Sequence, residues 1–227
     1  MKTERTICAV VPVKDTRQAK QRLAGVLDAA RRRELALAML EDVLAAVARV
    51  PELAGILVVT LDRAAIALAR RHGVPVVGDG AHAGHSGAVA MAARQLATED
   101  FAMLTLPGDV PLIEPQDIRE LIGAHRAASG DAFTIVPARD DRGSNAVLCS
   151  PADAVPLRFG NDSFLPHLRA AEERRMSPCV LRLPRIALDI DTPDDLALLL
   201  ERGAHTRAGA LLEQWRLHQG DWAKVTA

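Results

Sequence analysis

Asp189 and Asp191 stand two apart at the end of an apolar run, residues 186–190. If that run is a strand, side chains two positions apart leave on the same face, so both carboxylates look one way. Like charges that close repel unless a cation lies between them. Hard oxygen ligands suit Mg²⁺, which takes a few carboxylates together with substrate phosphate oxygens. Asp109 follows a second apolar run, residues 101–106. Alone it is as readily a helix cap or turn former as a functional group; with Asp189 and Asp191 it makes a third oxygen donor for a metal. Lys14, Lys20 and Arg22 share one loop with few acids. That loop is either a solvated surface or a polyphosphate clamp, because cations and loop N–H groups hold phosphate together. Two more loops are rich in neutral donors, Arg142-Gly143-Ser144-Asn145 and Phe159-Gly160-Asn161-Asp162-Ser163-Phe164. Glycine lets a backbone come close to a ligand, and serine supplies a neutral donor. Ser163 stands where a helix begins, a position that attracts anions and serves equally as a plain N-cap.

The elements that must position these groups alternate between strand and helix patterns. Strands are predicted over residues 6–11, 55–60, 74–77, 101–106, 132–136, 146–149, 180–183 and 186–190. Helices are predicted from an Asp28 cap to 47, over 63–72 with Gly73 as the stop, over 88–97 after a glycine-rich loop at 78–87, from Pro115 to 128, over 163–175, and from Pro193 onward. The alternation specifies an α/β protein, a single-domain three-layer α/β/α sandwich with a mostly parallel mixed sheet. In such sheets ligands bind beyond the carboxyl ends of the strands. That rim is where the first-loop cations, Asp109 and the late aspartates all fall. The main domain is expected to span residues 1–203 and a C-terminal helical extension 204–227. The apolar stripe of Leu211, Leu212, Trp215 and Leu217 in that extension suits packing on its own domain or contact between two copies in a homodimer.

The bulk properties exclude several function classes. Of 227 residues, 49% are hydrophobic and 25% charged, enough for a real core, and the net charge of −1 offers no basic field for nucleic acid or an anionic membrane surface. The Arg31-Arg32-Arg33 run is local and reads as the solvated start of a helix. Three cysteines, an odd number without a CxxC, are expected as reduced thiols in a cytoplasmic protein. The seven histidines show no metal-binding spacing. No apolar run approaches the ~20 residues of a membrane span, and the short run at 7–13 lacks a signal cleavage site.

One family brings these residues together. Val11-Pro12-Val13-Lys14, then Ala19-Lys20 and Arg22-Leu23-Ala24, resembles the opening of the 2-phospho-L-lactate guanylyltransferases of coenzyme F-420 biosynthesis. The resemblance continues through Arg33-Glu34-Leu35-Ala36, Met39-Leu40-Glu41-Asp42-Val43-Leu44, Gly108-Asp109-Val110-Pro111-Leu112 and Gly143-Ser144-Asn145. It closes through Phe159-Gly160, Ser163-Phe164, His167 and Leu188-Asp189-Ile190-Asp191-Thr192-Pro193-Asp194-Asp195-Leu196, covering residues 5–202. It implies a nucleotide-diphospho-sugar transferase (GT-A-like) fold and transfer of GMP from GTP to 2-phospho-L-lactate, phosphoenolpyruvate or 3-phospho-D-glycerate, with pyrophosphate released. It further implies a Mg²⁺ site at Asp109, Asp189 and Asp191. Ser144, Gly160 and Ser163 match positions that hold the acceptor phosphate. Pro12, Val13, Lys14, Lys20, Arg22 and Asp109 match the nucleotide side, with Lys14, Lys20, Arg22 and Asp109 as its catalytic groups. His85 and Ser86 fall near the nucleoside.

Three segments depart from the family pattern. Arg142 and Ser144 stand in place of Gly and Thr, Asp162 in place of Gly, and His85-Ser86 in place of Leu-Asn. Ser for Thr keeps the hydroxyl, Arg142 adds bulk and charge, and Asp162 sets an acid beside an anionic acceptor. All three lie at the ligand rather than the metal, which points to altered specificity. The rival expectations are a nucleotidyltransferase of the same fold acting on a sugar phosphate or molybdopterin, and a nucleotide-binding homologue without catalysis. A bare α/β domain whose aspartates are only caps and turns is the third.

Overall fold

A computed structural model describes residues 5–78, 84–128, 130–160 and 162–215, with His85 described by its backbone alone. Residues 79–83 of the glycine-rich loop, Asn161 and the Leu217 end of the C-terminal stripe lie outside the described residues. The strands are β1 (Ile7–Pro12), β2 (Leu53–Val59), β3 (Val76–Val77), β4 (Ala102–Thr105), β5 (Ala132–Pro137), β6 (Ser144–Ser150) and β7 (Cys179–Val180). They form one sheet in the order β3-β2-β1-β4-β6-β5-β7. Its pairings are parallel except those of β6, which runs antiparallel to both β4 and β5.

The side-chain alternation of the strands builds two cores. Ile7, Ala9 and Val11 of β1, Leu104 of β4, and Ala146 and Leu148 of β6 pack on one face under α1 (Ala29–Val47), α2 (Arg63–Arg71) and α4 (Pro115–Arg126). Val10, Met103, Val147 and Cys149 point the other way, under α3 (Gly84–Thr98) and α5 (Phe164–Glu173). Strands apolar on both faces are what a sheet covered by two helical layers requires. The short α6 (Pro184–Ala187) precedes α7 (Pro193–Arg202) and α8 (Arg207–Gln214). A third cluster joins α1, α7 and α8 to Leu23 and Leu27 of the first loop.

The helix signals act where the residues place them. Asp28 caps α1 by accepting from Arg31 N, Asp62 caps α2 through Ala64 N and Ala65 N, and Pro115 and Pro193 open α4 and α7. Gly73 ends α2 at φ 68°, a left-handed conformation that costs glycine little. α8 packs on its own domain: Asp42 of α1 accepts from Arg207 N at 2.8 Å and Ala208 N at 3.0 Å, capping it. A Cβ on Gly209 would lie 2.0 Å from the carbonyl oxygen of Gly203, so only glycine permits this approach.

Two elements differ from the sequence reading. Residues 186–190 are not a strand: Pro184 opens the turn α6, which takes in Ile186, and the Ile190 N–H goes to the Asp109 carbonyl at 3.1 Å. Proline cannot donate to a sheet ladder, and its fixed φ suits a helical first turn. α3 begins at Gly84 rather than 88, because burial of Ala88, Val89 and Ala92 against the sheet outweighs the poor helix propensity of the glycines before them. Among the described residues no helix is long and apolar enough to cross a membrane.

His125 of α4 is buried between Thr134 Oγ1 (2.9 Å) and Ser150 Oγ (2.8 Å), and burial lowers its pKa to about 4. Its folded pKa lies below its unfolded value, so the unfolded chain takes up the proton first and stability falls as pH drops from about 6.5 to about 4. The slope is about 1.4 kcal/mol per pH unit for one such histidine. Replacing His125 with Gln should remove that share of the acid slope in urea denaturation between pH 6.5 and 4.5; an unchanged slope would show that His125 is protonated in the fold.

Candidate active site

The first loop is pinned at both ends. Thr16 donates to Asp62 Oδ2 from its backbone N (3.0 Å) and its hydroxyl (2.7 Å), while Asp62 Oδ1 caps α2. Burial opposes ionisation of Asp62, but these hydrogen bonds outweigh it and hold its pKa below the usual carboxylate range. Further on, Leu23 and Leu27 are sunk in the α1–α7–α8 cluster. Between these anchors the chain makes two 3-10 turns, Thr16–Gln18 and Gln21–Leu23, with Lys20 at φ 53° and ψ 44° between them. A non-glycine residue in this region costs of order 1 kcal/mol.

That strain accompanies a buried ion bridge. Lys20 Nζ, on a side chain only 6% exposed, donates to Asp109 Oδ2 at 2.6 Å and Asp191 Oδ1 at 2.7 Å. Burial works against its charge, but Asp109 and Asp191 more than compensate and raise its pKa, so the ammonium persists. Burial also opposes the charge of Asp191, and Lys20, with Arg22 and Lys14, overcomes this and lowers its pKa. Asp189 shows the reverse balance: burial raises its pKa and the charges of Asp109 and Asp191 raise it further, against hydrogen bonds from Asn145 Nδ2 at 3.0 Å and from its own backbone.

The loop carrying the late aspartates is clamped from behind. Asp195 Oδ2 accepts from Asp191 N (3.1 Å), Thr192 N (2.8 Å) and Thr192 Oγ1 (2.7 Å), and Oδ1 accepts from Arg139 (2.7 Å). Although 186–190 is not a strand, Asp189 and Asp191 both line one cavity while Ile190 is buried in the core. Among the described residues no three His, Cys, Asp or Glu side chains are gathered as a ready metal cage. The donor chemistry nonetheless suits a hard cation, since Asp189 sits beside two anionic neighbours without a basic partner of its own among its strongest interactions.

The neutral donors arrive from the one antiparallel strand. Because β6 runs against its neighbours, its first residues, Ser144 and Asn145, reach the rim where β4 and β5 end. His167 of α5 fixes Ser144. Its Nε2 accepts from Arg158 N at 2.9 Å, which leaves the ring proton on Nδ1 to donate to Ser144 Oγ at 2.9 Å. Ser163 Oγ accepts from Ser144 N (3.1 Å) and donates to Ser144 Oγ (3.3 Å). Ser144 Oγ thus accepts twice and keeps its own hydrogen for a third partner. Burial lowers the pKa of His167 to about 4, so the ring is neutral near pH 7.

Two cavities meet here. One, of about 370 Å³, holds Ser144, Gly160, Ser163 and Asp189; the other, of about 520 Å³, holds Pro12, Val13 and Lys20. Lys14, Arg22, Asp109 and Asp191 border both. Ser86 borders neither; its Oγ accepts from Phe159 N at 3.0 Å and so holds the Gly160 loop. The side chain of His85 is not described. Arg142 Nε donates to Asp162 Oδ1 at 2.7 Å, so two of the departures in the donor loops pair with each other.

A family model described as "Guanylyl transferase CofC like" matches residues 7–220. The chain belongs to that family. Its relatives include the phosphoenolpyruvate guanylyltransferase of Conexibacter woesei, 39% identical over 93% of this chain and 95% of that protein. The 2-phospho-L-lactate guanylyltransferase of Methanothermobacter thermautotrophicus is 32% identical over 92% and 91%. A solved structure described as a nucleotide-diphospho-sugar transferase, from Desulfovibrio desulfuricans G20, shares the fold at TM-score 0.71 and 16% identity over 93% of this chain and 95% of that one. The CofC-like match extends through α8.

Several supporting residues had no sequence signal of their own. The Thr16–Asp62 tie links positions 46 apart, and the Arg142–Asp162 pair joins two separate loops. His167 was visible only as part of a motif; its burial between Arg158 and Ser144 gives it a role. Replacing it with Phe removes a donor to the buried Ser144 hydroxyl, a loss of about 1–3 kcal/mol, and leaves the part-buried Arg158 N–H without this acceptor. Urea denaturation of His167→Phe should show a loss of about 2–4 kcal/mol, with His167→Gln losing less; a Phe variant as stable as the parent would refute this network.

Proposed function

We propose that this chain transfers GMP from GTP to a small phosphorylated acid, 2-phospho-L-lactate, phosphoenolpyruvate or 3-phospho-D-glycerate, and releases pyrophosphate, in coenzyme F-420 biosynthesis with Mg²⁺ as cofactor. The observation that carries this reading is the junction of two cavities at Asp109 and Asp191: Lys14 and Arg22 border both, Lys20 lines one, and Ser144, Gly160 and Ser163 line the other together with Arg139 and Arg142. A triphosphate needs cations as its charge grows on the leaving side. A small phosphate acceptor needs positioning, which hydroxyl and backbone donors provide.

An oxygen of the acceptor phosphate attacks the α-phosphorus of GTP. A P–O bond forms there as the bond to the bridging oxygen breaks, and that oxygen leaves with the electron pair on pyrophosphate. The acceptor phosphate has a second pKa near ~6 and is largely dianionic at pH 7, so no general base is required. Lys14, Lys20 and Arg22 stand on the side where pyrophosphate departs, and Ser144, Gly160 and Ser163 orient the acceptor. Mg²⁺ held by Asp109, Asp189 and Asp191 would supply charge neutralisation at the attacking and leaving oxygens. The Arg142–Asp162 pair favours catalysis over a binding-only homologue, because the acid that would repel an anionic acceptor is matched by a cation. We place the protein in the cytoplasm on its three free cysteines, Cys8, Cys149 and Cys179.

Pyrophosphate release should be measured with Mg²⁺, four NTPs and the three acids in a full matrix. Acceptor-dependent release with GTP is expected, and Asp109→Asn and Asp191→Asn should each reduce it by about 100-fold or more, in line with lost electrostatic stabilisation. Undiminished release in either variant, with the fold intact by its melting curve, would sink the assignment of those carboxylates; silence across the matrix would sink the transferase.

A further inference from the structure

We propose that Lys20 is a tethered stand-in for the divalent cation: its ammonium holds Asp109 and Asp191 while no metal is bound and withdraws from them when metal arrives. The inference rests on the metal reading above and adds a competition within the chain. Its basis is geometric. Lys20 Nζ lies within 2.6 Å and 2.7 Å of one oxygen from each of two carboxylates assigned to the metal. An ammonium in that position takes up oxygen lone pairs that a divalent ion would need. Lys14 and Arg22 also bear on Asp191, through their charge.

The loop is built for such a residue to swing. Its backbone is fixed on either side of Lys20 by the Thr16–Asp62 bonds and the buried Leu23, while the lysine itself is joined to the rest by a flexible four-carbon stem. The ammonium borders the larger cavity with Lys14 and Arg22, the side assigned to the triphosphate. A phosphate oxygen there offers it a new partner as the carboxylates pass to the metal. Metal and nucleotide then assist one another, since each favours the same withdrawn position of Lys20, and the assistance is reciprocal.

The competition has a sign that ordinary loss of function does not. If the metal-competent arrangement is a minor fraction of the free protein, apparent affinity is reduced by that fraction. Removing the competitor therefore tightens metal binding while it impairs turnover. Mn²⁺ binding to the full chain without nucleotide can be followed from the electron paramagnetic resonance signal of free Mn²⁺. Lys20→Met should bind Mn²⁺ about tenfold tighter than the parent, the factor expected for a competent fraction near a tenth. Lys14→Met and Arg22→Met, which remove a nearby charge but neither of these two bonds, should shift binding by less. In the parent, GTP should tighten Mn²⁺ binding, and in Lys20→Met that enhancement should shrink.

Equal or weaker Mn²⁺ binding by Lys20→Met, or a gain no larger than that of Lys14→Met and Arg22→Met, overturns the stand-in while leaving the metal site in place. Absence of Mn²⁺ binding in both parent and Lys20→Met overturns the metal reading and the stand-in with it. Because Lys20→Met leaves its carboxylates uncompensated, its melting temperature is read with and without Mn²⁺. A larger rise on adding Mn²⁺ than the parent shows supports the stand-in, and an equal or smaller rise counts against it.

Discussion

Three carboxylates converging on one rim set the condition that the rest of this site has to meet. A pair of like charges 4 Å apart, at the effective dielectric of a protein surface, costs about 4 kcal/mol. The chain answers Asp109 and Asp191 with the Lys20 ammonium and leaves Asp189 answered by the Asn145 amide, a dipole rather than a charge. The consequence is an unequal set: Asp191 is held below its ordinary pKa and Asp189 is pushed above it. Under the proposed function, a second cation completes such a set. The stability of the folded chain and the cation affinity proposed for its site would then be two aspects of one arrangement.

Holding that arrangement requires rigidity on three separate segments. Asp62 ties the first loop to the start of α2, and Asp195 ties the 189–192 loop to the start of α7. The Asp109 carbonyl receives the Ile190 N–H, so the two acidic segments are bonded through backbone as well as sharing a lysine. In each tie an aspartate oxygen or a carbonyl accepts from groups on another element, which is how a loop gains the precision of the scaffold beneath it. The lysine side chain, on its flexible four-carbon stem, is the one part of this arrangement for which a change of partner is proposed.

Much of this was legible in the sequence, and the gaps have physical causes. Asp28, Gly73, Pro115 and Pro193 mark helix ends by local chemistry, and the structure places ends at each. The side-by-side display of Asp189 and Asp191 was inferred from a strand that does not form. The alternation survives because Ile190 is drawn into the core between them, so burial rather than sheet pairing sets the direction. Strand order was not legible, because nothing local records that β6 inserts antiparallel between β4 and β5. Nor could one chain position announce that Arg142 and Asp162 meet, since their pairing exists only once two loops are folded together.

The antiparallel insertion also explains why the two halves of the site differ in kind. Parallel strands deliver their carboxyl ends to the rim, followed by loops that lead into helices; here those loops bring Lys14, Lys20 and Asp109. An antiparallel strand delivers its beginning, so Ser144 and Asn145 reach the rim as strand residues, with Ser144 opposite Pro137 of β5. Side chains on a paired strand have less freedom than those on a loop. That suits neutral donors, whose short-range hydrogen bonds fail when geometry drifts, whereas a charge acts over distance and tolerates a flexible stem. His167 extends the same logic: one ring nitrogen is fixed by the Arg158 N–H so that the other donates to Ser144, and its depressed pKa keeps the ring neutral in that role.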